Sequence, residues 1–585
     1  MRFHVGSHLE AKGLGRFFDY RAALLASVTA FVATLSIVPL FYLLWNSFKP
    51  IGLGNLADFS FTNFTFENFV RAYSDPAIIT MLLHSFFFAA GSMVMAFLFG
   101  GVIAFLVERT DTPMKNLAYG LMFIPLIVPN ALNAIGWVLL LSPNNGILNL
   151  LWRSLGFKEA LFDAYTLSAM FWVEGLSTAP LAFLMFGASL RGMDPSLEEA
   201  AFTSGAGRWT AFRTVTVKLM TPALAGIGLL QFIRGIEAFE VPYIMGMGKG
   251  LRVFSTAIYV SVRELSPPDY GAAFVLSLVL VVLAVVGIVF YQRIMAQSER
   301  YATITGKGFR PRIFSLGKWR YVAGGFIGFY FFASVLLPFL VLLWTSFLPY
   351  YQTPSVEAVK RLSLGSYRDL FARDIFYLCV KNTLALAVAV SVVGMLLSLA
   401  VSWIVVRWKP KGSSLLDLLA FLPFAVPGIA MGFAFMVAFL TFSNPIYGTL
   451  WIIILAYLTS FLPIGTRFTH AAITQIRAEL EEAAATCGAG LFGIMRHILI
   501  PLILPSLVSG GLYLFLLCVK VVSAAAILWN PDSVILSIYV LQLWGEGRLP
   551  VVSALAVVTV VSLTGLFLAA RLLVVRKSVV TEISF

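Results

Sequence analysis

Asp194-Pro-Ser-Leu-Glu-Glu199-Ala-Ala-Phe-Thr-Ser-Gly205-Ala-Gly-Arg-Trp-Thr-Ala-Phe-Arg-Thr-Val215-Thr-Val-Lys218 and Glu479-Leu-Glu-Glu482-Ala-Ala-Ala-Thr-Cys-Gly488-Ala-Gly-Leu-Phe-Gly-Ile-Met-Arg-His-Ile498-Leu-Ile-Pro501 share one pattern. It runs Glu-Ala-Ala, three residues, glycine, nine residues, then an aliphatic residue. In the first copy Leu197, Ala200, Ala201 and Ser204 fall on one helical face, where small alanines let another surface approach the backbone closely. Gly205 and Gly488 stand where a helix ends in a left-handed cap and turns into a second short helix. A capping box from Ser196 to Glu199 would explain the first copy alone, because Glu479 stands in the place of that serine in the second.

Each stretch is an island between long apolar runs. The chain has 585 residues, of which 59% are hydrophobic and 12% charged. Its mean hydropathy is +0.90, too apolar for a soluble domain that must face water. Runs long enough to cross about 30 Å of hydrocarbon recur from end to end. They predict an all-α polytopic membrane protein with about twelve spans. The first half places them near 22–45, 80–106, 115–141, 164–188, 220–244 and 270–292. The second places them near 320–345, 378–406, 413–440, 448–471, 501–528 and 551–575. The first run is too long for a removable signal peptide and reads as a retained span. The formal net charge of +13 is spread over the loops flanking the spans, so it points to orientation and not to a nucleic-acid partner. With Arg2, Lys12, Arg16 and Arg21 ahead of the first span, the positive-inside rule puts the N-terminus and both Glu-Ala-Ala loops in the cytoplasm. Cys379, Cys487 and Cys518 are too scattered for a disulfide framework or a zinc site, and no metal site is assigned. His84 reads as a hydrogen-bonded structural residue.

The chain is a duplication. Pro39-Leu-Phe-Tyr-Leu-Leu-Trp45-Asn-Ser-Phe48 returns as Pro338-Phe-Leu-Val-Leu-Leu-Trp344-Thr-Ser-Phe347, and Pro125 and Pro129 return as Pro423 and Pro427, 298 residues on. Glu199 returns as Glu482, only 283 residues on, which locates an extra stretch of about fifteen residues in the first half near Asn149 to Asp163. An even number of spans per half makes the repeats parallel, with a central path between them. The expected division is a first repeat over 1–295, a cytoplasmic linker over 296–319 and a second repeat over 320–585. The loops lie near 194–218 and 477–501.

The loops resemble the coupling motif of ABC importer permeases, and the resemblance covers nearly the whole chain. It implies a type I importer fold. It also implies that Glu199, Ala200, Ala201 and Gly205, with Glu482, Ala483, Ala484 and Gly488, dock on ABC ATPase subunits and pass nucleotide-driven motion to the spans. Lys218 departs from the pattern where the family has proline, while Pro501 keeps it, so the two docking sites are expected to be unequal. The chain has no G-x-x-x-x-G-K-[ST] loop to cradle phosphates, and no motif for hydrolytic chemistry. It is therefore expected to be no enzyme and to bind no cofactor, with ATP used by two partner subunits. The further partners implied are a periplasmic substrate-binding protein and the lipid of a bacterial inner membrane.

Ionisable residues inside spans cost about 2.5–3.5 kcal/mol on insertion scales and default to function. In the fifth span Arg234, Glu237 and Glu240 recur at three-residue steps, which predicts one helical face, with Pro242 interrupting the helix beyond them. The 283-residue offset sets Glu237 against Lys520 and Glu240 against Ser523. An ion pair between Glu237 and Lys520 across the central path is one reading; mutual neutralisation of Arg234 and Glu237, with Glu174 as a further partner, is the other. The fused arrangement, Glu237-Ala-Phe-Glu240-Val-Pro242 and Pro267-Pro-Asp-Tyr-Gly271 are similar to the ferric-iron importer permeases. That resemblance implies ferric iron as cargo, and carboxylate oxygens suit a hard cation. The same architecture resembles permeases for thiamine, phosphonates and polyamines. An ion-coupled secondary transporter would also have parallel halves and midplane charges, but it has no use for a duplicated docking loop.

Overall fold

A computed structural model describes residues 14–50, 61–193, 195–298, 313–441 and 445–582. Arg2, Lys12 and Asp194, and the greater part of the expected linker, residues 299–312, lie outside the described residues. Among the described residues ten helices are long and apolar enough to cross a membrane, or twelve if two sharply bent pairs each count as one span. In the first half these are α1 (Leu14–Ser47), α2 (Ala77–Arg109), the bent pair α3 (Lys115–Ile127) and α4 (Asn130–Leu141), α5 (Leu167–Arg191), then α6 (Pro195–Thr203) in the loop, α7 (Phe212–Glu237), the short α8 (Glu240–Gly246) and α9 (Tyr270–Ser298). The second half repeats the order with α10 (Trp319–Ser346), α11 (Asp374–Trp408), the bent pair α12 (Ser413–Ala425) and α13 (Gly428–Thr441), α14 (Leu450–Gln475), α15 (Glu479–Thr486), α16 (Phe492–Lys520), α17 (Ser523–Leu528) and α18 (Leu549–Glu582).

Three of the expected features take a different form. The spans expected at 115–141 and 413–440 are not straight. Their halves meet at 95° and 109°. A proline disfavours the helical region for the residue before it, and at the two bends Val128 and Val426, each followed by proline, are extended, with ψ of 126° and 113°. The spans expected at 220–244 and 501–528 end early, at Glu237 and Lys520, and restart at Glu240 and Ser523. Pro242 is not the cause. The interruption comes before it, at Ala238 with ψ of 135°, and recurs at Val521 with ψ of 136°, where the second half has no proline nearby. Pro242 sits instead in the first turn of α8, where its missing N–H costs nothing. The break therefore belongs to the architecture of both repeats.

The expected extra stretch is real structure. Between α4 and α5 the first half carries a helix, Ile147–Ser154, and a loop held by Asn149, whose amide nitrogen donates to the carbonyls of Leu141, Ser142 and Phe162. Among the described residues the second half has no such helix between Thr441 and Leu450.

The first span of each half packs on the other half. α1 lies along α12 and α13, with Val32 in one apolar cluster with Leu399, Leu416 and Leu462. α10 lies on α4, with Phe326 stacked on Phe99 of α2 and the Tyr330 hydroxyl donating to the Leu176 carbonyl of α5 at 2.9 Å. The innermost layer is built at backbone contact. A Cβ on Gly432 of α13 would stand 2.5 Å from the Ala524 carbonyl of α17, closer than real atoms come, so only glycine lets α17 nest there. Among the described residues the three cysteines are free, and only Cys487 is exposed. His84 Nδ1 lies 3.3 Å from the Arg252 carbonyl, in keeping with a structural role.

Candidate coupling and translocation sites

α6 and α15 end in the same way. Gly205 and Gly488 have φ of +83° and +84°, the left-handed region in which a Cβ is costly. Each glycine N–H donates to the carbonyl three residues back, Phe202 or Ala485. The next N–H, of Ala206 or Ala489, donates to Ala201 or Ala484, and all four bonds are 3.0 Å long. These two bonds satisfy carbonyls that a helix end leaves orphaned and turn the chain sharply. A further short turn of helix, Arg208–Ala211 or Leu491–Ile494, then runs into a π-turn in the first part of α7 and α16, at Phe212–Thr216 and Met495–Leu499. Glu199, Ala200, Glu482 and Ala483 are exposed, and Ala201 and Ala484 partly so. Each loop thus presents a small-residue helical face with a carboxylate on it.

The residue before each of these glutamates points the other way. Glu198 is 1% exposed and pairs with Arg109 at the end of α2, whose side chain is 0% exposed, at 3.5 Å. Its other oxygen accepts the Thr216 hydroxyl at 2.7 Å. Glu481 pairs with Arg407 at the end of α11 at 2.9 Å, with side-chain exposures of 15% and 14%. Arg407 also donates to the carbonyls of Ile473 and Ile476. Arg109 and Arg407 are 298 residues apart, and Glu198 and Glu481 are 283 apart, so the anchor is part of the repeat. Both arginines tie a loop helix to the end of a membrane helix.

Charges also gather where α7 and α16 break. Glu240, at the start of α8, is buried, and its Oε1 accepts the Val522 N–H from the opposite half at 3.0 Å. Glu174 of α5 is 4% exposed, and its Oε2 has no hydrogen-bond partner among the described residues. Lys520 lies within electrostatic reach of both carboxylates, and its Nζ is 3.5 Å from the Leu126 carbonyl of α3. Pro129, Leu132, Lys520, Val522 and Ser537 line a narrow cavity shared by the halves.

Of the two readings for Glu237, no ion pair with Lys520 is found among the described residues, and Arg234 is the neighbouring charge. The Arg234 guanidinium stands 5.8 Å from the Phe424 ring of α12. The expected single face of Arg234, Glu237 and Glu240 is also broken, because Glu240 lies beyond the extended Ala238, on α8. Ser523 is buried against Gly428, where a Cβ would come within 2.3 Å of its hydroxyl. Among the described residues no three His, Cys, Asp or Glu side chains converge as a metal site.

The family of the binding-protein-dependent transport system inner membrane component matches this chain twice, over residues 96–298 and 391–579. The chain belongs to that family. The permease is 27% identical over 508 residues to the ferric transport system permease protein FbpB of Actinobacillus pleuropneumoniae, covering 86% of this chain and 72% of the relative. It is 27% identical over 479 residues to the putative ferric transport system permease protein FbpB 1 of Haemophilus influenzae, covering 81% and 74%. It is also similar to the molybdenum transport system permease protein ModB of Escherichia coli, 29% identical over 198 residues, covering 32% and 81%. Among solved structures it is similar to a bacterial ABC transporter involved in the import of alginate, at 20% identity and a TM-score of 0.37, covering 50% of this chain and 99% of that one.

The fold and family make the permease a multi-pass inner-membrane subunit of an ABC importer, built from two parallel repeats. The two loops and most of the charged residues near the helix breaks were singled out in the sequence. The anchors Glu198, Glu481, Arg109 and Arg407 were not. The available signal was arithmetic, since each member of the two pairs repeats at the offset of its own region.

Proposed function

We propose that this permease forms the translocation path of an ATP-driven ferric-iron importer. The observation that carries the transport mechanism is the pair of loop helices with matching caps, exposed Glu-Ala-Ala faces and arginine anchors. Such a helix transmits force because its outer face is free for a partner and its inner face is fixed to a span. In this reading Glu199, Ala200, Ala201 and Gly205 receive one ATPase subunit, and Glu482, Ala483, Ala484 and Gly488 receive a second. The loops and N-terminus face the cytoplasm, ATP is bound and hydrolysed by those partners, and a periplasmic binding protein delivers the cargo to the opposite face.

Ferric iron is supported by the names of relatives that align along most of the chain. It is also supported by the charge around the breaks, where Glu174, Glu237 and Glu240 outnumber Arg234 and Lys520. A carboxylate excess at a low-dielectric constriction favours a cation over an oxyanion. Glu174, Glu240 and Lys520 are the central path group, with Arg234 and Glu237 beside it. Thiamine and polyamines are the cationic alternatives.

Uptake of radiolabelled ferric iron, in cells lacking the gene and in cells with it restored, tests the cargo. Loss and recovery of uptake with the gene supports iron. Unchanged uptake, with expression verified and no second iron system active, rejects iron and leaves the importer mechanism standing.

A further inference from the structure

The only isolated β-bridge among the described residues joins the first half to the segment that runs between the halves. Thr110, just past α2, bridges in parallel to Phe314, just before α10. The Phe314 N–H donates to the Arg109 carbonyl at 2.7 Å, and the Asp111 N–H donates to the Phe314 carbonyl at 3.1 Å. The Asp111 carboxylate then accepts the Leu316 N–H at 2.7 Å and the Ser315 hydroxyl at 2.9 Å. The Phe314 ring meets Phe202 of α6 edge-on, with centroids 6.4 Å apart. Arg109 belongs to both systems: its carbonyl holds the inter-half segment, and its guanidinium holds Glu198 of α6.

The second loop cannot build this arrangement. At the repeat offsets Phe202 corresponds to Ala485, which has no ring, and Asp111 corresponds to Lys409, which has no carboxylate. Lys409 turns the chain away in a left-handed conformation, with φ of +49°.

We propose that Ile313–Leu316 is a working part of the first ATPase-docking site, clamping α6 through Phe202 and Arg109, and that the second site has no such clamp. This rests on the reading of α6 and α15 as docking helices. The clamp gives the first site a property the second lacks. The segment runs directly into α10, which packs on the opposite half, so a push on α6 reaches both halves at once. Asp111, Phe202 and Phe314 act as positioning residues, since they hold the surface that meets the partner.

The assembled importer supplies its own reporter. Cys487 is exposed beside the cap of α15, and Cys379 and Cys518 are buried. Ser204 is its counterpart 283 residues earlier and is also exposed. A thiol-specific photo-crosslinker on Cys487 reports the second docking site. The same reagent on Ser204→Cys in a Cys487→Ser background reports the first. Removing the edge-on aromatic contact with Phe314→Ala is expected to lower crosslinking to the ATPase from position 204 by about two- to tenfold, leaving Cys487 unchanged. Phe202→Ala, which leaves the bridge intact, should do the same and carries the test if Phe314→Ala fails to insert. Equal losses at both positions, or no loss at either, overturn the clamp. Glu199→Arg and Glu482→Arg calibrate the docking reading itself. Each should suppress crosslinking from its own loop, and if neither does, it is docking by these helices that fails.

Discussion

Glu198→Gln removes the carboxylate that neutralises Arg109 but keeps an oxygen able to accept the Thr216 hydroxyl, so shape and one hydrogen bond survive. What is lost is the countercharge of a guanidinium with 0% side-chain exposure. The nearest replacement, Glu108, is already paired with Arg191. Removing one member of a buried ion pair costs about 3–5 kcal/mol, because the other charge stays buried without compensation. If that cost falls on the docking of α6, its opening equilibrium rises by about 100- to 4,000-fold, at 1.4 kcal/mol per factor of ten. Glu481→Gln is the matched control. Its pair is 14–15% exposed, and Arg407 keeps the carbonyls of Ile473 and Ile476, so the cost is about 1 kcal/mol and less than tenfold. Hydrogen exchange of peptides covering 195–206 and 479–489, in the permease reconstituted in lipid nanodiscs, reads both openings. Equal acceleration in the two variants, or less than a tenfold change around α6, would refute the claim that burial makes the first anchor the stronger.

Four other expectations follow from the geometry. Gly205 and Gly488 have open space where a Cβ would go, so Gly205→Val should cost about 1–2 kcal/mol through backbone strain alone, and Gly205→Asn clearly less; uptake at matched expression ranks them. Exchanging Glu240 and Lys520 for one another should recover more uptake than exchanging Glu237 and Lys520, because Lys520 lies within electrostatic reach of Glu240; the reverse order would sink the central group. Gly432→Leu should overpack the contact with Ala524 at a cost of about 1–3 kcal/mol, seen as a loss of monodisperse protein on gel filtration in detergent. The Asp111 carboxyl is held below its ordinary range, first by the Leu316 N–H and then by the Ser315 hydroxyl. A depressed carboxylate stabilises above its unfolded value and stops doing so as pH falls through the folded one. Protection of the Leu316 amide, corrected for intrinsic exchange, should therefore hold from pH 7 to 5 and fall only in more acidic solution.

The duplication was legible because apolar runs and turn residues recur at fixed offsets, and the caps at Gly205 and Gly488 were legible because few residues besides glycine tolerate that backbone. The bends at Val128 and Val426 were within reach, since proline constrains its predecessor, but an unbroken apolar run reads as one span. The interruptions at Ala238 and Val521 carry no local signal. They are imposed by the nesting of α8 and α17 against neighbouring helices, which no periodicity encodes. Pairing was the weakest inference for the same reason: three-residue spacing places Glu240 beside Glu237 only if the helix continues between them. Glu198 was hidden by its neighbour, because in Glu-Glu-Ala-Ala one carboxylate faces out and the other in, and composition does not distinguish them.

The exchange of first spans between halves has a cost during synthesis. α1 leaves the ribosome about four hundred residues before α12 and α13, against which much of it packs, so at about 5–20 residues per second it waits for roughly 20–80 s with that flank unpartnered. Only 22% of its most apolar window is buried in the finished protein, against 67% for α5 and α14. A helix that spends its early life surrounded by lipid can keep an apolar surface all round and needs no polar stripe to mark a partner not yet made.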